Sequence, residues 1–458
     1  MTGIVKRNKA LSVNPLKASS TLGACLAIMG IGRAVPMIHG AQGCTAFGKI
    51  FFIQHFQEPV PLQTSALDQT GTVMGSYDYL SEGLCTLAKK KPALIGVPTS
   101  GLAAVQGFDV EMGVREFRAA HPEHDDVAVV PVITPDYAGA LESGFADAVL
   151  AIVRALVPDA PGRAGTRPRQ VNLLAGSALT PGDIEDLKET IESFGLRPVV
   201  VPDISGSLDG HLAPERFSPH TIGGTPLDEI ATLGLAAATL VVGASLNPAA
   251  DELARRTGVP DIRFDHLYGL KAFDALAMAL RDISGREVPE RLDRQRAQFL
   301  DAMVDTHFMM GFTRFAVAAE ADLLTGLVAL LRGTGAEVTA AVTPASAPAL
   351  ERCGLETVKI GDLEDLEHAA RETGAEVLIA NSHGDAVAQR LGIPLYRAGF
   401  PQFHWFGGSA KAWIGYRGGR QVLFDLANLL TALDRGEVAP YRSVYAQKSE
   451  RRRAGGVS

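Results

Sequence analysis

Thiols carry the most reactive chemistry in this sequence, and there are four of them in 458 residues: Cys25, Cys44, Cys85 and Cys353. That is too few for a disulfide scaffold in a chain this long. No C-x-x-C occurs, which removes a self-contained zinc knuckle or bacterial ferredoxin site. Metal chemistry would need isolated ligands gathered by folding, or ligands shared between chains. Cys44 has the most informative surroundings. It lies in HGAQGCTAFG, residues 39–48, where Gly40 and Gly43 let backbone amides approach an anion or a cluster sulfide. A loop cysteine among such donors suits a thiolate, the form that binds iron or attacks an electrophile. Two other readings stand beside that one: a buried structural thiol, and a nucleophile paired with His39, for which no orienting acid is evident. The other cysteines read as structural. Cys25 shares a helical face with Leu22 and Met29, Cys85 falls in the helix-like segment 79–90, and Cys353 precedes Gly354 at a helix end.

Two glycine-rich segments imitate nucleotide sites. GCTAFGK (residues 43–49) fits the first part of a phosphate-binding loop, but Ile50 stands where Ser or Thr must hold Mg²⁺. The G-x-G of Gly30 and Gly32 lacks its third glycine, Val35 being there instead, so a dinucleotide fingerprint is absent. The eleven histidines form no H-E-x-x-H pair. His383 and His404 follow strand-like runs near Asn381 and Trp405, where α/β folds place ligands. GFPQFHWFGG, residues 399–408, is aromatic enough to read as interface or core packing.

These residues need a frame to hold them. Apolar runs of strand length recur at 93–97, 127–133, 171–175, 198–201, 239–242, 314–318, 338–342, 377–380 and 394–396, each before a helix-length amphipathic stretch. Such alternation reads as βαβ units around parallel sheets buried on both faces. Thr180 and Pro181 read as N-cap and first residue of a helix that Gly195 stops; Gly333 and Gly335 end another. Residues 157–169, rich in Pro, Gly and Arg, read as a linker, and 289–310 as a long polar-faced helix at a second joint. The expected architecture is α/β with three Rossmann-like, doubly wound parallel-sheet domains, over 1–165, 166–290 and 291–446. Residues 447–458 are expected to be a frayed tail. The length agrees, since one hydrophobic core does not serve a chain of this size.

Bulk properties narrow the partners. A formal charge of −8 argues against nucleic acid or an anionic membrane as the main partner. The most apolar stretches, 22–38 and 233–246, are shorter than the roughly 20 residues of a membrane span, and the first carries Arg33 and Pro36. The N-terminus lacks the apolar core of a signal peptide. The expectation is a cytoplasmic protein.

Taken as a set, NPLKAS (14–19), VPMIHGAQGC (35–44), HFQEPV (55–60), GVPTSGLAAVQG (96–107) and GFPQF (399–403) resemble successive landmarks of the nitrogenase β-subunit family. They occur in that family's order across nearly the whole chain, and the family's three Rossmann-like domains agree with the strand and helix pattern. The resemblance also locates a difference. Three cysteines of the nitrogenase β-subunit help to hold an eight-iron cluster. Here the matching positions are Ser19, Cys44 and Gly101, so one thiolate of three remains.

The resemblance therefore implies a [4Fe–4S] cluster shared with a partner, Cys44 being one ligand and Gly43 and Gly40 its supporting turn. It implies an α-like partner of the NifE type in an α₂β₂ heterotetramer. It also implies an iron–molybdenum cofactor precursor held mainly by that partner, the nitrogenase iron protein as a transient partner, and nitrogenase apo-protein as cofactor acceptor. The role implied is a scaffold subunit in cofactor maturation. The alternative is a subunit of a nitrogenase-like oxidoreductase: nitrogenase itself or a light-independent protochlorophyllide or chlorophyllide reductase.

Overall fold

The computed structural model describes residues 2–6, 12, 16–75, 77–212 and 218–434. Its strands are β1 (Gly3–Lys6), β2 (Ala34–Ile38), β3 (Gln63–Thr64), β4 (Leu94–Pro98), β5 (Ala128–Val132), β6 (Arg167–Ala175) and β7 (Arg197–Val201). There follow β8 (Ala236–Val242), β9 (Asp261–Phe264), β10 (Arg314–Ala318), β11 (Glu337–Thr343), β12 (Thr357–Ile360), β13 (Val377–Ala380) and β14 (Leu395–Arg397). They form three sheets, ordered β3-β2-β4-β5, β7-β6-β8-β9 and β1-β12-β11-β10-β13-β14. Every pairing among them is parallel. The apolar runs explain this: strands such as LIGVP and VLIA are buried at every residue, which a sheet covered by helices on both faces requires. The fold class expected from the alternation is present.

Chain order and sheet membership part company at β1. Gly3–Lys6 pairs with β12 at the edge of the third sheet, more than three hundred residues away in sequence. No local pattern in four residues announces such a partner. The capping pattern is as the sequence implied at Thr180, whose side chain accepts from Asp183 N ahead of Pro181, and at Gly195 and Gly335, which take left-handed backbone angles. The long helix expected over 289–310 is Glu290–Asp305, followed by a short helical turn His307–Met310. The tail expected over 447–458 lies outside the described residues.

Two helices frame the site. α1 (Ser20–Met29) is buried along its whole length, and α2 (Gln42–Phe56) buries only Thr45, Gly48, Phe52 and Phe56. α1 crosses the helix Leu141–Leu156 backbone to backbone. A Cβ on Gly23 would come within 1.8 Å of Leu141 O, and one on Gly144 within 1.8 Å of Ser20 O. This contact places the start of α1. The length argues against a single core, yet one continuous apolar cluster, including Ile38, Leu173 and Val317, joins all three sheets, with two smaller clusters beside it.

Candidate functional site

β2 and β5 both pair with β4, and the loops leaving their carboxyl ends meet, which is where open parallel sheets place ligands. After β2 the chain passes through His39, Gly40 and Ala41 into α2; after β4 through Thr99 and Ser100 into the short helix Gly101–Val105; after β5 into the single turn Asp136–Ala138. The first two loops are joined, His39 N donating to Pro98 O at 2.9 Å and Ser100 N to His39 O at 3.0 Å. A Cβ on Gly40 would sit 2.4 Å from Ser100 Oγ. Glycine is therefore what lets these two turns touch, and its service to Cys44 is to tie that turn to the one bearing Gly101.

Cys44 is not in a loop, as its glycine-rich setting had led us to expect. Three residues suffice to turn from β2 into α2, so Cys44 is the third residue of that helix, and its thiol is exposed. Ala41 at the N-cap gives no side-chain hydrogen bond to the first turn. The positive end of the helix therefore lies beside Cys44, an arrangement that favours negative charge there. A Cβ on Gly43 would meet nothing within 4 Å, so this turn is open to a large neighbour. GCTAFGK lies wholly inside the helix, so it makes no phosphate-cradling loop.

A cavity of about 240 Å³ opens beside Cys44, lined in part by Ser19, Phe47, Phe51, Asp136 and His383. Ser19, from the first of the matched landmarks, is the N-cap of α1: its Oγ accepts from Thr21 N at 3.1 Å and donates to Asp136 Oδ1 at 2.6 Å. Ser20 Oγ donates to the same oxygen at 3.0 Å. A Cβ on Gly101 would lie 3.4 Å from Asp136 Oδ2. Folding thus brings Ser19, Cys44 and Gly101 around one corner and adds Asp136, which sequence reasoning did not single out. Its only signal was position, in the turn after a strand of the same parallel sheet.

The histidines divide. His39 is buried against Phe108, ring centroids 4.2 Å apart, and burial pushes its pKa down to about 4. It is not among the residues lining the cavity, and it is buried where Cys44 is exposed. His383 does reach the cavity, and burial lowers its pKa. His404 is exposed, its backbone at φ 56°. GFPQF packs against the end of α2: Gln402 N donates to His55 Nδ1 at 2.9 Å, and the rings of His55 and Phe400 lie 4.9 Å apart. Burial pushes the His55 pKa down to about 3.

The remaining thiols sit away from this corner. Cys25 is fully buried and burial pushes its thiol far up; Cys353 is buried and Cys85 half-buried, and burial raises both. Among the described residues no group of three or more His, Cys, Asp or Glu is placed to hold a metal ion. No described helix is long and apolar enough to cross a membrane. The corner offers one exposed thiol and the Ser19–Asp136 pair on an otherwise largely apolar wall, and a four-iron site here would need ligands from elsewhere.

Comparison with known proteins places this chain in a family. Residues 19–431 match the family model of nitrogenase component 1 type oxidoreductases. The chain is 44% identical to the nitrogenase iron-molybdenum cofactor biosynthesis protein NifN of Bradyrhizobium diazoefficiens, over 94% of this chain and 92% of the relative. It is 43% identical to NifN of Klebsiella pneumoniae, over 98% and 97%. Among solved structures, a chain of nitrogenase Cp1 at pH 6.5 superposes with a TM-score of 0.88 at 26% identity, covering 96% of this chain and 98% of that one. The chain belongs to the nitrogenase component 1 type oxidoreductase family.

Proposed function

We propose that this chain is the β-type subunit of a scaffold on which the iron–molybdenum cofactor precursor matures before transfer to nitrogenase. The observation that carries the reading is at the cavity corner. Of the three family positions gathered there, Ser19, Cys44 and Gly101, only Cys44 keeps a thiol, and that thiol is exposed. One thiolate suits a [4Fe–4S] cluster whose other ligands come from a second subunit. The relatives named NifN, at more than 40% identity along nearly the whole chain, support the same role.

In this reading Cys44 is one ligand of the shared cluster. Gly40 ties the ligand turn in place, and Gly43 leaves room above it. An α-like subunit of the NifE type supplies the remaining ligands, holds most of the precursor, and pairs with this chain in an α₂β₂ assembly. Phe47, Ile50 and Ile53, apolar yet exposed on α2 beside Cys44, make a face suited to a covering subunit. The nitrogenase iron protein docks transiently, and nitrogenase apo-protein receives the product. The chain works in the cytoplasm and is not by itself a complete enzyme.

The test is complementation of an extract from cells lacking the chain. Isolated iron–molybdenum cofactor should restore nitrogenase activity, and added iron protein should not. Recovery only on adding complete nitrogenase component 1 would reject the scaffold role in favour of a structural nitrogenase subunit. Normal nitrogenase with failed pigment reduction would favour the reductase alternative.

A further inference from the structure

Asp136 occupies the space between the two family positions that have lost their thiols. Ser19 Oγ donates to its Oδ1 at 2.6 Å and Ser20 Oγ to the same oxygen at 3.0 Å. On the other side, a Cβ at Gly101 would stand 3.4 Å from its Oδ2. Lys17 Nζ donates to the backbone oxygen of Asp136, so the turn is held through its main chain as well. These bonds commit Ser19. Its oxygen accepts from Thr21 N as the cap of α1, and its proton points at Asp136. A hydroxyl so engaged stays neutral and turned away from a metal. Asp136 meanwhile presents a fixed carboxylate to the wall of the cavity that Cys44 also lines.

We propose that Asp136 is a positioning residue of the cluster corner: it keeps Ser19 out of ligation and holds the reduction potential of the shared cluster low. This rests on the reading above that Cys44 ligates a cluster shared with a partner. Reduction adds an electron to the cluster, and a neighbouring negative charge opposes that addition, so it moves the potential in the negative direction. Lys17 acts in the opposite sense. It lines the same cavity with a positive charge but is exposed, so solvent screens it more.

The experiment is an EPR-monitored redox titration, with iron analysis, of the complex co-purified with its natural partner subunit. Wild type is compared with Asp136→Asn and Lys17→Gln. Asp136→Asn should retain the iron of wild type and shift the midpoint potential in the positive direction. Lys17→Gln should retain iron and shift it in the negative direction by less. An unchanged midpoint in Asp136→Asn with iron retained would overturn the proposal. So would shifts of one sign in both variants, or loss of iron from Asp136→Asn in an intact complex, which would make Asp136 a ligand. Absence of a four-iron signal from the wild-type complex would instead overturn the shared-cluster reading itself.

Discussion

α1 and α2 belong to the same end of the molecule, each carries one cysteine, and their surroundings give those cysteines opposite characters. All ten residues of α1 are buried, and Cys25 lies in the apolar core. Burial penalises the thiolate there and pushes the Cys25 pKa far above its usual range, which leaves an inert packing group. α2 buries a narrow stripe of Thr45, Gly48, Phe52 and Phe56 and turns Cys44 outward with Phe47, which is 67% exposed, and Ile50, which is 49% exposed. The residue type is the same. Location within the layers separates a core thiol from one that a ligand can reach.

The largest effect expected is at the exposed thiol. Cys44→Ala should abolish or strongly deplete the cluster iron of the complex. Cys25→Ala should keep the iron and lose only about 1 kcal/mol of stability to a small cavity. Iron analysis and EPR of both variants with the partner subunit would check this, and full iron in Cys44→Ala would erase the contrast between the helices. The isolated chain, with one thiolate to offer, should hold no stoichiometric cluster.

Next comes the contact that sets α1. Gly144→Ala must force the helix Leu141–Leu156 away from Ser20 O, and overpacking of this kind should cost about 3 kcal/mol. Denaturant unfolding of the chain measures it. A loss below about 1 kcal/mol would mean that the crossing relaxes easily and does not fix Ser19.

Titration sharpens the comparison differently, because the buried region has its own charges. Glu142, Glu320 and Asp322 meet where the helices Leu141–Leu156 and Ala321–Gly333 begin, Glu142 Oε2 accepting from Asp322 N at 2.8 Å. Burial raises all three pKa values, that of Glu320 to about 8. A carboxyl whose folded pKa exceeds its unfolded value binds its proton more tightly in the folded state. Its contribution to stability is complete below the unfolded pKa and is lost as pH rises from about 4.5 through about 8. His39 and His55 act oppositely: their lowered values cost stability as pH falls below about 6.5 toward their folded pKa values of about 4 and about 3. The two effects oppose each other between about 4.5 and about 6.5, so denaturation midpoints should decline as pH rises from about 6.5 to about 8, where only the carboxyls act, and again as pH falls below about 4.5, where only the histidines act. Replacing Glu320 with Gln should flatten the alkaline limb.

The smallest effect belongs to the exposed face of α2. Ile50→Ser should alter the stability of the isolated chain by about 0.5 kcal/mol or less, since that side chain is half in solvent. The same change should weaken association with the partner subunit, measured by titration of purified subunits. An equal loss in both assays would mean that α2 presents no interface.

Much was settled by residue order. Alternation of apolar runs with amphipathic stretches encodes burial locally, so the α/β class and most strands were legible, as was the helix start at Thr180 and Pro181. Residue order also singled out Cys44, because its neighbours in HGAQGC resemble a family landmark, and the structure leaves that thiol exposed. Tertiary structure decided the rest, since periodicity reports which face is buried and never which strand lies alongside. Gly3–Lys6 reads as a short polar-flanked segment until β12 supplies its ladder. The turn to Cys44 reads as a loop because glycines dominate it, yet α2 begins after three residues, and its helical bonds override their propensity. Asp136 carried no signal beyond its position in the turn after a strand. It is 117 residues from Ser19 in sequence, and the two become hydrogen-bonded neighbours only because parallel strands deliver their following loops to one common edge.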